Sequence, residues 1–226
     1  MRAFVTMVVI AGVAGGWSAP AGAKTSDQQI AKAAVLTEAD VPSGFTGGPF
    51  TEKGDDPTLP ECEGAIAKAD KSVELAPIAR SGFQLNSTTG YAVIENTVAV
   101  LPSEKKAKQA MAAYSDEDTA EVCMQARFEE SFTETGITTS VSMGSFDPEM
   151  DPKGNEKVIK GGDEFLGFGG GVRRSAGGAP QFFEVQVVLA REGRAVTQLA
   201  IVTQGTIPRD DMEQMLQTVV TRMGKA

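Results

Sequence analysis

The stretch Gln181–Gln204, QFFEVQVVLAREGRAVTQLAIVTQ, constrains the fold most strongly. Phe183, Val185, Val187 and Leu189 recur at every second position, with Glu184 and Gln186 between them. Beyond Arg191-Glu192-Gly193-Arg194, Leu199 and Ile201 alternate more loosely with Gln198 and Ala200. Successive strand side chains point to opposite faces of a sheet, so this period predicts an antiparallel hairpin turned through Arg191-Glu192-Gly193-Arg194.

The start of the chain carries an address. Met1-Arg2 is followed by an uncharged, mostly apolar run, Ala3 to Gly16, and by the small-residue pattern Ala21-Gly22-Ala23 before Lys24. That layout predicts a secretory signal peptide over 1–23, cleaved between Ala23 and Lys24. The apolar run is shorter than the about 20 residues a bilayer core requires, and no later stretch is long and apolar enough to span one. Stable membrane insertion is therefore not expected after cleavage, and a secreted or cell-envelope location is. The remainder, 24–226, is read as one domain; about 200 residues suffice for one sizeable core.

Cys62 and Cys123 are the only cysteines. In an oxidising compartment they are expected to pair. Closing a loop of about 60 residues stabilises a fold by about 4 kcal/mol on the chain-entropy model. The formal charge of −9 repels phosphate backbones, and no Lys/Arg cluster interleaved with aromatics occurs, which argues against nucleic-acid binding.

Along the chain, Gln28–Leu36 reads as a short helix with Ile30, Ala33 and Ala34 on its apolar side. The Gly-, Pro- and Asp-rich run Thr46–Pro60 reads as a surface connection. Pro60 opens a helix from Glu61 to about Ser72 with Cys62, Ile66 and Ala69 at helical spacing. Arg80–Asn86 and Gly90–Leu101 read as strands; Ala92, Ile94, Val98 and Val100 share a face that also holds Asn96. Ser103 is placed to cap a helix from Glu104, buried through Ala107, Met111 and Tyr114. A second helical segment runs to about Phe132 with Val122, Ala126 and Phe128 inward, so both cysteines fall on expected helices. Thr138–Phe146 and Glu164–Arg174 read as strands, the latter interrupted by Gly167, Gly169, Gly170 and Gly171. Pro208–Met223 closes the chain with Met212, Met215, Leu216, Val219 and Met223 at intervals of three and four. The order predicts an α+β fold: an antiparallel sheet with helices packed on one side or at an end, and C-terminal hairpins followed by a final helix.

The chain contains no histidine. Ser-His-Asp and Cys-His hydrolysis and His-ligated metal sites are thereby excluded. Paired carboxylates remain available in principle for hydrolysis. The acidic run Asp147-Pro-Glu-Met-Asp-Pro-Lys-Gly departs from an EF-hand loop, with Pro152 and Val158 where glycine and glutamate belong. Gly167-Phe-Gly-Gly-Gly171 satisfies neither a dinucleotide nor a P-loop pattern. Arg173 and Arg174 follow it and suggest an anion-binding loop; a bulged strand accounts for the same residues. No cofactor is expected.

Leu36-Thr-Glu-Ala-Asp-Val-Pro-Ser-Gly-Phe45, Pro60-Glu-Cys-Glu-Gly64, Val98-Ala-Val-Leu-Pro-Ser-Glu-Lys-Lys-Ala107 and Gly161-Gly-Asp-Glu-Phe-Leu-Gly-Phe168 together carry a resemblance. The chain resembles the actinobacterial extracytoplasmic sensor-type domains of PknH-type receptor kinases, and in layout the PsbP-like fold of secreted lipoproteins. The resemblance implies a non-enzymatic binding domain of the cell envelope that takes a small molecule, a wall component or a protein in a cleft. Unlike those relatives, this chain carries no kinase and no lipid-accepting cysteine at the signal junction. The other classes are a carboxylate-dependent hydrolase acting on envelope material and a protein-interaction module. The functional surface is expected around Gly167–Arg174 or in the acidic loop after Phe146.

Overall fold

The structure is a computed structural model that describes residues 25–50, 59–87, 90–133, 137–149, 159, 161–175, 178–205 and 209–225. Its elements in chain order are α1 (Thr25–Ala34), β1 (Thr46–Phe50), α2 (Ala65–Glu74), β2 (Ile78–Ser87), β3 (Gly90–Val100), α3 (Glu104–Ala112), α4 (Glu117–Phe132), β4 (Thr138–Phe146), β5 (Glu164–Ser175), β6 (Gln181–Glu192), β7 (Ala195–Thr203) and α5 (Arg209–Met223). Two 3-10 turns, Glu38–Asp40 and Pro60–Cys62, complete them. The expected cleavage site, Ala23 and Lys24, lies outside the described residues, as does most of the acidic run after Glu149.

Hairpin β6–β7 turns at Gly193-Arg194, where Gly193 adopts φ +56°. A two-residue hairpin turn with glycine first matches the twist of the strands it joins. The strands form one antiparallel sheet in the order β1-β2-β3-β7-β6-β5-β4, which puts β7 at its centre. The α+β class is as expected, but helices cover both faces rather than one. Val185, Val187, Leu189, Ala200 and Val202 pack toward α2, α3 and α4 with Ile66, Met111, Met124 and Phe128. Ala92, Ile94, Val98, Leu199 and Ile201 pack toward α1 and α5 with Ala31, Met212, Met215, Leu216 and Val219. Every residue of β7 is buried. That is why its polar alternation is loose: a strand covered on both faces has no face on which polar residues are favoured.

Buried polar groups in such a strand need internal partners. Asn96, 1 % exposed, accepts from the Leu36 N–H at 3.1 Å. Its amide donates to Thr197 Oγ1 at 2.9 Å and to the Gln198 carbonyl at 3.0 Å. It thereby ties the segment after α1 to β3 and β7. Ser103 caps α3 by accepting from the Lys106 N–H at 3.3 Å.

Cys62 and Cys123 form a disulfide. Cys62 ends a 3-10 turn rather than sitting within a helix, because Gly64, at φ +74°, separates that turn from α2. Beside it, α2, α3 and α4 share a buried cluster. Tyr114, just past α3, donates its hydroxyl to Asp70 Oδ1 at 2.5 Å. Arg127 pairs with Asp70 and donates to the Tyr114 hydroxyl. Burial pushes the Tyr114 phenol well above its ordinary value, so it stays a donor. This cluster sets the rotation of α4: Arg127 turns inward with Cys123, Met124 and Phe128, while Val122, expected inside, is 55 % exposed. Ala33 is likewise exposed. The Thr46–Pro60 connection is shorter than expected because Thr46–Phe50 forms edge strand β1 on β2. Gly47 makes that pairing possible, since a Cβ there would lie 2.0 Å from the Gly82 carbonyl oxygen.

Arginines fasten the periphery. Arg194 reaches Asp27 at 2.7 Å, and Arg222 grips Asp40 with two hydrogen bonds of 2.8 Å. Asp163 takes the Gly193 N–H at 2.9 Å and Arg191 at 2.5 Å.

Two predictions follow from these contacts. Replacing both cysteines, Cys62→Ala with Cys123→Ala, should lower the unfolding free energy by about 4 kcal/mol in urea; an unchanged midpoint would show that the cystine adds nothing. The Gly193 N–H, then Arg191, holds the Asp163 carboxyl below the usual carboxylate range. Burial pushes Asp40 up, but Arg222 and Thr37 outweigh it and hold that carboxyl low as well. A carboxyl depressed in the folded state stabilises above its unfolded value and loses that contribution as pH falls through the folded value. Urea midpoints should therefore drop on acidification below the ordinary carboxylate range. An Asp40→Asn, Asp163→Asn double variant should show a flatter acid limb in the same titration.

Candidate functional site

Seven strands at about 4.8 Å spacing span about 29 Å, whereas a helix with its side chains is about 10 Å wide. Three helices cover one face. Two helices leave about 10 Å of the other face bare, and the bare region falls at the β4–β5–β6 end. There the sheet presents an open trough of about 750 Å³, within the range of ligand sites.

The register builds the trough in transverse rows. Ser140, Arg173 and Phe182 lie side by side on β4, β5 and β6. Ser142, Gly171, Glu184 and Thr203 form the next row across four strands. Gly144, Gly169 and Gln186 form a further row beyond the trough. Gly171 of β5 thus leaves the middle of the floor without a side chain. The Phe146 ring closes one end, occupying the space above Gly167 and Gly169, where a Cβ would lie 2.8 Å and 3.4 Å from it.

At the other end stands Phe182, 62 % exposed, with the Arg173 guanidinium 5.9 Å from its ring centre. Stacking on the ring orients this exposed cation. Gln186 Nε2 donates to Glu184 Oε1 at 2.7 Å, which orients that carboxylate.

Arg173 and Arg174 do not converge on one anion. They lie on opposite faces of a strand whose pairing with β6 runs without a bulge from Glu164–Arg191 to Arg174–Gln181. Arg173 faces the trough; Arg174 lies 5.8 Å from the Phe132 ring on the helix-covered face. The glycine-rich segment is a regular strand rather than a loop. Its glycines serve two purposes: a Cβ on Gly170 would sit 1.8 Å from the Ser142 carbonyl oxygen, whereas one on Gly171 meets nothing closer than 3.8 Å.

A second, more enclosed cavity between α2, α3 and the sheet is lined by Val73, Met111, Tyr114, Leu189 and Gln198. At about 30 Å³ it has room for about two waters, for which Gln198 Oε1, with no hydrogen-bond partner among the described residues, is an acceptor. It is too small for an organic ligand.

Phe182, Glu184, Ser140 and Ser142 were not singled out by sequence reasoning. One signal was available. Phe182-Phe183 places adjacent aromatics in an alternating strand, so one must share the face of Glu184 and Gln186.

The two glycines separate folding from function. Gly170→Ala should destabilise the protein by on the order of 3 kcal/mol, because backbone must move. Gly171→Ala should leave the thermal midpoint close to that of the parent. Equal midpoints for the two variants would contradict the strand packing described.

By sequence, the chain matches no family model and no curated protein. By structure it is similar to the crystal structure of the extracellular domain of PknH from Mycobacterium tuberculosis. The TM-score is 0.56 at 15 % identity, covering 91 % of this chain and 100 % of that one. The two share a fold over essentially their full lengths.

Proposed function

We propose that the chain is a secreted, non-enzymatic binding domain of the cell envelope, sensor-like in fold, and that its ligand sits in the β4–β6 trough. The observation that carries this reading is the uncovered sheet face. A half-bare sheet normally bears uniformly polar side chains, whereas this one combines an exposed aromatic ring, an oriented cation and an oriented carboxylate over a glycine floor.

Binding is favoured over hydrolysis by the contents of the trough. Among its described residues Glu184 is the only carboxylate, and paired-carboxylate hydrolysis needs two. The complete absence of histidine supports the same conclusion. The signal-like segment 1–23 supports an extracytoplasmic address, and the similar fold belongs to an extracellular domain. The described residues contain no helix long and apolar enough to cross a membrane.

Isotope-labelled protein titrated with fractions of its host's envelope tests the reading. Amide shifts should cluster at 140–144, 169–173 and 182–186, and Gly171→Leu, which fills the floor, should abolish them. Shifts confined to other surfaces would overturn it.

A further inference from the structure

We propose that the trough takes a neutral carbohydrate, a short oligosaccharide or the end of a glycan chain; this rests on the binding reading above and names its ligand class. Three features of the surface favour it over an anion, a peptide or a lipid.

The first is Phe182. It is the most exposed large apolar side chain among the described residues, and it stands at the edge of a trough of mixed lining, where Ser140, Ser142, Arg173 and Glu184 alternate with Val141, Val172 and Phe183. A lipid tail needs a continuous apolar wall, and here Ser140, Ser142, Arg173 and Glu184 interrupt the apolar residues. The C–H face of a sugar ring needs only one flat apolar surface, and its rim needs polar groups.

The second is charge balance. Arg173 and Glu184 lie on neighbouring strands in adjacent rows of the register, so their formal charges cancel. Glu184 would repel a phosphate or carboxylate held by Arg173. Among the described residues Arg173 makes no ion pair and Glu184 accepts only from Gln186, so both retain hydrogen-bonding capacity. A sugar hydroxyl both donates and accepts. A carboxylate beside a guanidinium, with serine hydroxyls across the floor, satisfies both roles at once.

The third is shape. The two lining rows span about 14 Å from β4 to β7 and about 7 Å along the strands. At Gly171, where a Cβ would meet nothing closer than 3.8 Å, the floor lets a flat ring approach the backbone. This is an open platform suited to a ring system, not a deep hole suited to a compact ion.

Calorimetric and NMR titrations with defined neutral oligosaccharides, β-1,4-linked N-acetylglucosamine oligomers, α-glucans and mannans, decide the matter. Inorganic phosphate and a sugar phosphate form the anionic arm. Binding of a neutral member should shift amides at 140–144, 169–173 and 182–186. It should weaken at least tenfold in Phe182→Ala, at an exposed site where folding is not at stake, and persist in Phe182→Trp. Tighter binding of the anionic probes overturns the proposal. So does occupancy of the trough by an envelope fraction that contains no carbohydrate, although the trough would then stand as the binding site. A trough that no probe and no envelope fraction occupies overturns both.

Discussion

Coverage of a seven-stranded sheet is the constraint from which the rest of this structure follows. Helices on both faces turn the central strands into an interior, and the hairpin β6–β7 runs through the middle of it. On the face of α2, α3 and α4, the disulfide and the buried Asp70, Tyr114 and Arg127 cluster hold three helices as one cover. On the opposite face, α1 and α5 are too few to reach the β4 edge. The bare end is thus a geometric consequence of two helices on a wide sheet.

Two-sided burial also explains how the chain treats its polar residues. Asn96 lies in the apolar row of β3, and all its hydrogen bonds go to backbone or side chains from two other segments. Leaving such a group unmatched costs about 1–3 kcal/mol, so its three partners fix where the chain leaves α1 and how β3 registers on β7. Arg127 does the same between helices. Charged residues at the rim, Arg191, Arg194 and Arg222, tie the hairpin turn and the last helix to acids elsewhere in the chain. The uncovered face carries no such ties among its described residues: Arg173 stacks on Phe182 instead of pairing.

Much of this was legible from periodicity. The β6 alternation, the β3 face that includes Asn96, the Ser103 cap and the Met-lined final helix all rest on local patterns. Elements whose placement depends on distant partners were not legible. The inward turn of α4 needs Asp70 and Tyr114 from other helices, so Val122 reads as buried when it is not. β1 is a strand only because β2 supplies its partner, against the turn propensity of Gly47, Gly48 and Pro49. The glycine run of β5 reads as a break because glycine is poor in isolated strands. In the sheet, Gly170 relieves a backbone clash and Gly171 opens a floor. The trough itself is assembled by register from four strands, so only the Phe182-Phe183 pair hinted at it.

The most direct test of the trough as the functional surface is hydroxyl-radical footprinting of intact protein with and without its host's envelope extract. Among the described residues Phe182, Leu75 and Val122 are the large apolar side chains left most exposed, at 62 %, 54 % and 55 %, so each serves as a control for the others. If the trough binds, oxidation of Phe182 falls while that of Leu75 and Val122 is unchanged. Protection of Leu75 or Val122 with Phe182 unaffected would contradict it.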